Sequence, residues 1–231
     1  MRIEPEIAGV SLVMLGHFNP AIFTPAWFGW NELLPEKTVN IAGTKIVHPQ
    51  IATFEADWLN LHVQPESFQI NTTQPPYVRL RDLAVRIFRE NLPHIPLKAM
   101  GINREVHFSV RSSDERDRLG RLLAPVEPWG DWGQKLEPDG EHGGMTSLTM
   151  RQVNPDGRPL GGQINVTVEP SSRIGQGRLG VYVRVNDHYT IENVESQMGT
   201  SKIVALLEEN FDESLRRADK IIDHIMSLTE K

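Results

Sequence analysis

The chain has 231 residues, 24 Lys+Arg against 30 Asp+Glu for a formal net charge of −6, and no cysteine. The missing thiols exclude a disulfide framework, a thiolate nucleophile, a Cys-ligated zinc and an iron–sulfur cluster. A 39% hydrophobic, 23% charged composition is that of a folded globular chain, long enough for one large domain or two small intimate ones. Glu4 and Glu6 precede an apolar run broken by Gly9 and Ser11, which is not the pattern of a secretory signal. No apolar run approaches the ~20 residues that span a bilayer. The expectation is a cytoplasmic protein without a membrane segment.

Ile7–Leu15 is short, apolar and bounded by Gly16, which predicts a buried strand. Residues 16–37 then hold three prolines, two tryptophans and three phenylalanines. Pro20, Pro25 and Pro35 deny a long helix and leave room for a short one over Trp27–Leu34. Rings this dense either pack on the core or form a sticky surface. Residues 46–63 place Ala52, Phe54, Ala56 and Trp58 at alternate positions; with a turn at Pro65-Glu66 and a return over Ser67–Asn71 they predict a hairpin.

Pro75-Pro76 opens a helix over 77–91. Leu80, Leu83, Ala84, Ile87 and Phe88 step along its buried face, and Asp82 stands where it can pair with Arg79 and Arg86. Met100–Arg111 alternates as a half-buried strand. Ser113 is placed to cap a short charged helix ending near Leu123. Residues 124–144 contain three prolines and five glycines and predict a long loop, a feature usually functional or mobile in a compact domain. Strands over Met145–Val153, Gly162–Glu169 and Arg178–Val185, joined by turns at Asn154–Gly157 and Pro170–Gly177, make a meander. Asp187-His188 reads as loop. A helix over Ser201–Leu228 closes the chain, with Val204, Leu207, Phe211, Leu215, Ala218, Ile222 and Ile225 on one stripe.

Gly16, Phe18, Asn19 and Pro20 follow an apolar strand and resemble the opening of the nucleotidyltransferase signature G-x-F-x-P-x-H-x-G-H. The family's first histidine falls on Ile22 and its closing Gly-His on Thr24-Pro25. The residues that would contact phosphate are therefore missing, and that activity is not expected. No phosphate loop, dinucleotide fingerprint, H-E-x-x-H or G-x-S-x-G occurs either.

No two of the eight histidines stand at helical i, i+4 spacing, so no metal site and no cofactor is expected. Glu105 and His107 share one strand face, as do Asn60 and His62. His62, Glu105 and His107 are thus the candidates for acid/base work, against the alternative of a solvated strand face. His17, Asn19 and Trp27 are the candidate ligand contacts, in a pocket between the sheet and the 16–34 aromatic segment. Trp129 and Trp132 lie in a polar, Gly-rich stretch and are candidate interface residues, tryptophan being enriched at binding hot spots. Residues 78–122 carry a local charge of +4 and the rest of the chain −10. That asymmetry can bind nucleic acid, but the acids interleaved there favour a head-to-tail or inter-subunit contact of the basic middle with the acidic terminal helix, with Arg79, Arg86 and Arg89 as candidate interface residues.

The sequence thus predicts an α+β protein, a mostly antiparallel sheet or sheets flanked by amphipathic helices. The units are residues 1–111, 112–144 and 145–231, as two related strand-then-helix subdomains or one compact domain. The leading functional expectation is a self-associating interaction or assembly protein without a catalytic motif. The alternative is a small-ligand binder or enzyme; nucleic-acid binding through 78–122 ranks below both.

Overall fold

The computed structural model describes residues 3–136, 143–159, 161–174, 179–191 and 198–230. Nine strands form one sheet: β1 Ile7–Leu15, β2 Gly43–His48, β3 Ile51–Ala56, β4 Leu59–Gln64, β5 Ser67–Thr72, β6 Ala99–Ser109, β7 Leu148–Val153, β8 Gln163–Pro170 and β9 Gly180–Thr190. Their order is β2-β3-β4-β5-β1-β6-β9-β8-β7, and every neighbouring pair is antiparallel. The helices are α1 Pro25–Trp30, α2 Glu36–Asn40, α3 Val78–Arg86 (continued by a π turn, Ile87–Asn91), α4 Ser113–Leu123, α5 Gly130–Gly133 and α6 Met198–Ser227. The fold is α+β.

Strand alternation sends Val10, Leu12 and Met14 of β1 and Ile102, Val106 and Phe108 of β6 to one face, where they are buried. The helices lie against that face and build two apolar clusters. The first is aromatic: Phe18, Phe23 and Phe28 from the segment after β1 meet Phe54, Phe68 and Phe88, with ring centroids 5.0 to 6.4 Å apart and mostly edge-on. The second is aliphatic and gathers Val168, Val181, Val183 and Val185 against Leu119 of α4. Helix α6 serves both. Ile203, Val204, Leu207 and Phe211 enter the first, and Ala218, Ile222, Ile225 and Met226 the second. Its 30 residues run about 45 Å.

The connectivity repeats. A central strand (β1 or β6) leads into a helical excursion, then a meander whose last strand (β5 or β9) returns beside it, then a helix (α3 or α6). β1 and β6 pair with each other over nine residues. Residues 1–111 and 145–231 therefore contribute strands to one continuous sheet.

Several local expectations need correction. The segment 46–63 is three strand pieces rather than one strand, because Pro49-Gln50 and Asp57-Trp58 form turns; neither turn contains the glycine that marks most hairpins. Trp58 sits in the second of these turns and is half-buried, packed against the same cluster as Ala52, Phe54 and Ala56. Ser112, not Ser113, caps α4, its Oγ accepting the Glu115 N–H at 3.2 Å. The 124–144 stretch carries α5 and a 3-10 turn over Glu127–Trp129, with 137–142 outside the described residues. Residues 175–178 of the turn before β9 are likewise outside them. Strand β9 runs on to Thr190, so Asp187 and His188 are strand residues, not loop.

Asp187 points to the helix side and is 2% exposed. Its carboxylate binds Arg158 and, at 2.9 Å, Arg217 of α6. Burial lowers the pKa of Arg158, and its guanidinium lies 4.5 Å from the Tyr189 ring centroid. The charge asymmetry is satisfied inside the chain by further pairs. Arg89 holds Glu208, Arg81 reaches Asp212 at 3.5 Å, and Arg104 bonds Asp219 at 2.9 Å. Asp82 pairs with Arg81 rather than Arg79 or Arg86. Arg86 turns to Glu90 at 3.7 Å, while Arg79 donates to the Gln74 and Pro75 carbonyls and covers Trp58.

Candidate functional site

The opposite face of the sheet carries no helix among the described residues, and most of its alternate residues are polar. One cross-strand row spans eight strands from β3 to β7: Glu55, Asn60, Asn71, Ser11, Asn103, Asn186, Asn165 and Arg151, each directly opposite the next. Directly opposed side chains lie about 5 Å apart at Cβ, and most of this row is hydrogen-bonded along its length. Asn60 donates to Asn71 at 3.2 Å, Asn103 to the Ser11 carbonyl at 3.4 Å and Asn186 to Asn103 at 2.6 Å. Asn165 donates to Asn186 at 3.3 Å and Arg151 to Asn165 at 2.7 Å.

Two depressions of about 260 and 210 Å³ open at the centre of this face. They share Ser11, Gln69 and Glu105. Gly9 lines the first and Gly101 the second, each leaving room that a side chain would fill; a Cβ on Gly101 would stand 2.8 Å from the Asn186 amide nitrogen. The first adds Asn71, His107 and Arg173, and the second Asn103, Arg184 and His188.

The electrostatics of this centre are distinctive. Glu105 accepts from the Ser11 hydroxyl at 3.4 Å. His107 is 6% exposed; its Nδ1 and Ser171 Oγ share a 2.8 Å hydrogen bond, and its ring lies 4.7 Å from that of Tyr182. Burial, then the positive charge of Arg173, pushes the His107 pKa below its ordinary value. Burial alone does the same to His188. The Tyr182 hydroxyl is pushed up to about 12, by burial first and then by the Glu105 carboxylate. Near neutral pH the centre therefore presents neutral imidazoles, a protonated phenol, one carboxylate and two guanidiniums, a set suited to binding through hydrogen bonds and charge.

The structure brings together part of what the sequence singled out. Glu105 and His107 are both at this centre. His62 shares their face but stands on β4, three strand spacings or about 14 Å from β6, and does not converge with them. His17 is exposed. Asn19 is also exposed and caps a 3-10 turn, its Oδ1 accepting the Ala21 N–H at 3.2 Å. Trp27 packs edge-on between Phe23 and Phe28. Phe18, Phe23 and Phe28 are buried beside the sheet where the cleft was expected, and none of those three candidates lines either central depression. Trp129 and Trp132 are 63% and 59% exposed, with ring centroids 5.7 Å apart.

Sequence reasoning missed Ser171, Arg173, Tyr182, Arg184 and the asparagine row. One signal was available: asparagine is depleted from strands, yet Asn60, Asn71, Asn103, Asn165 and Asn186 all sit in strand positions of one parity. Among the described residues no group of three or more His, Asp or Glu side chains could hold a metal ion, and no helix is long and apolar enough to cross a membrane. No known protein family and no curated protein matches the sequence.

Proposed function

We propose that this chain is a binding protein that takes a small polar ligand on the helix-free face of its sheet. The observation that carries the reading is the row of hydrogen-bonding side chains across eight strands, with two glycine-lined depressions at its centre. An antiparallel sheet can leave one face wet with scattered polar groups. A row that is hydrogen-bonded along most of its length is instead held in fixed geometry, which lowers the ordering cost of binding. The test is NMR of the side-chain amides during titration with a defined set of water-soluble amino acids, sugars, carboxylates and phosphates. Saturable shifts at Asn71, Asn103 and Asn186, with Asn210 on α6 unmoved, are expected. Saturable binding that maps to the α4 side of the sheet and leaves these amides unmoved would overturn the reading.

A second reading, contact with a protein partner or a second copy, is supported by a separate feature. Trp129 and Trp132, with Leu122, are exposed apolar side chains. Tryptophan ranks among the residues that dominate interfaces. Light scattering across a concentration series tests it, with the Trp129→Ala/Trp132→Ala variant as control.

A further inference from the structure

We infer that the ligand of the central depression is an acidic zwitterion, a small molecule with two anionic groups and one cationic hydrogen-bond donor. This rests on the binding reading above and gives it a chemical class. Several arginines elsewhere hold a carboxylate, Arg81, Arg89, Arg104, Arg158 and Arg217 among them, while Arg79 and Arg151 are held by carbonyl and amide oxygens. Arg173 and Arg184, the two that line the depressions, hold none among the described residues. Among the described residues Glu105 is the one carboxylate lining either depression. It stands directly opposite Arg184 on the neighbouring strand, where opposite charges normally close on each other. They do not; Glu105 turns to the Ser11 hydroxyl instead.

The centre therefore keeps one negative and two positive groups apart, with Glu105 at the junction and one guanidinium in each depression. A guanidinium matches a carboxylate or phosphate in a two-point hydrogen bond. A carboxylate flanked by amides matches an ammonium. The complement is a ligand with an anionic group for Arg173, another for Arg184 and a protonated amine for Glu105, the formal charges summing to neutral. Gln69, Asn71 and Asn186 stand beside these groups and can satisfy the remaining acceptors. Acidic amino acids and phosphorylated hydroxy-amino acids share this chemistry.

Calorimetry and side-chain amide NMR with L-glutamate, L-aspartate and O-phospho-L-serine distinguish the carboxylate and phosphate forms. Glutarate, which lacks the amine, and glucose, which lacks charge, serve as comparators. At least one zwitterion is expected to bind at least tenfold more tightly than glutarate. Arg184→Gln should weaken it tenfold or more. Glu105→Gln should remove the preference over glutarate while leaving glutarate binding in place, and both variants should keep the wild-type unfolding midpoint. Glutarate binding as tightly as the zwitterions, or Glu105→Gln leaving the preference intact, overturns the inference. If glucose or glutarate moves Asn71, Asn103 and Asn186 and no zwitterion does, the ligand class falls while binding at this face stands. If no probe moves them, both fall.

Discussion

The same strands build two unlike faces. On β6, Ile102, Val106 and Phe108 point into the helix layer, while Asn103, Glu105 and His107 point the other way. On β9, Val181, Val183 and Val185 alternate with Tyr182, Arg184 and Asn186. The covered face holds the chain together by removing apolar surface from water. The other face adds hydrogen bonds between side chains that would be hydrogen-bonded to water when unfolded, so each adds little net stability. Stability is thereby assigned mainly to one parity of these strands and, under the proposed function, recognition to the other, so that a substitution on one should leave the other nearly untouched.

The sharpest way to break that division is on the covered side. Phe68 is fully buried and touches Phe18, Phe23 and Phe88. Phe68→Ala should cost about 3–5 kcal/mol, read as a lowered urea midpoint with the slope unchanged. Asp187→Ala should cost a similar or slightly smaller amount, about 3–5 kcal/mol for stranding a buried cation. Arg158 and Arg217 would then face each other without a counter-charge. A loss below 1 kcal/mol would show that Arg217 swings to solvent.

The pH response belongs to the helix-free face. His107 and His188 both have folded-state pKa values held below the unfolded value of about 6.5. In the interval between the two values the unfolded chain binds more protons than the folded one. Stability is therefore full above pH ~6.5 and falls as the pH drops through that value towards the folded pKa. Unfolding midpoints from pH 8 to 5 should show this fall, and a His107→Gln/His188→Gln variant should flatten it. A smaller effect is expected along the polar row. Asn165→Ala removes hydrogen bonds to Arg151 and Asn186 and should cost roughly 1 kcal/mol or less. Smallest of all, Trp129→Ala/Trp132→Ala should change stability by no more than about 0.5 kcal/mol. If it also leaves the scattering mass unchanged over the concentration series, the tryptophan pair is not a contact site.

Apolar periodicity made the covered face legible in advance. The buried stripe of α6, the alternation of β6 and the three-strand meander all follow from where Val, Ile, Leu and Phe recur. The turns at Pro49-Gln50 and Asp57-Trp58 were not legible, because they lack the glycine that identifies tight hairpins. The continuation of β9 through Asn186, Asp187 and His188 was hidden for a related reason. Those residues are poor strand formers on their own, and neighbours far along the chain hold them extended. Glu105 and His107 could be paired from spacing alone, since both lie on one strand. Arg184, Ser171 and Arg173 could not, because only the pairing of β6 with β9 and the return of the chain beyond β8 bring them near. The density of rings over 16–37 pointed towards core packing, but nothing in the sequence separated Trp27, which took that place, from a ring that faces a ligand.

The central position of β1 sets a timing problem for the chain as it is made. Ser11 sits beside Asn103, 92 residues further on, and its other neighbour, β5, also comes late. At roughly 5–20 residues per second of synthesis, the apolar strand Ile7–Leu15 leaves the ribosome many seconds before both of its edges can be paired. Of the nine strands this middle one is thus the first made, and it waits longest for its second neighbour. Slowed translation should therefore expose this protein to aggregation through its first strand for longer than through any later one.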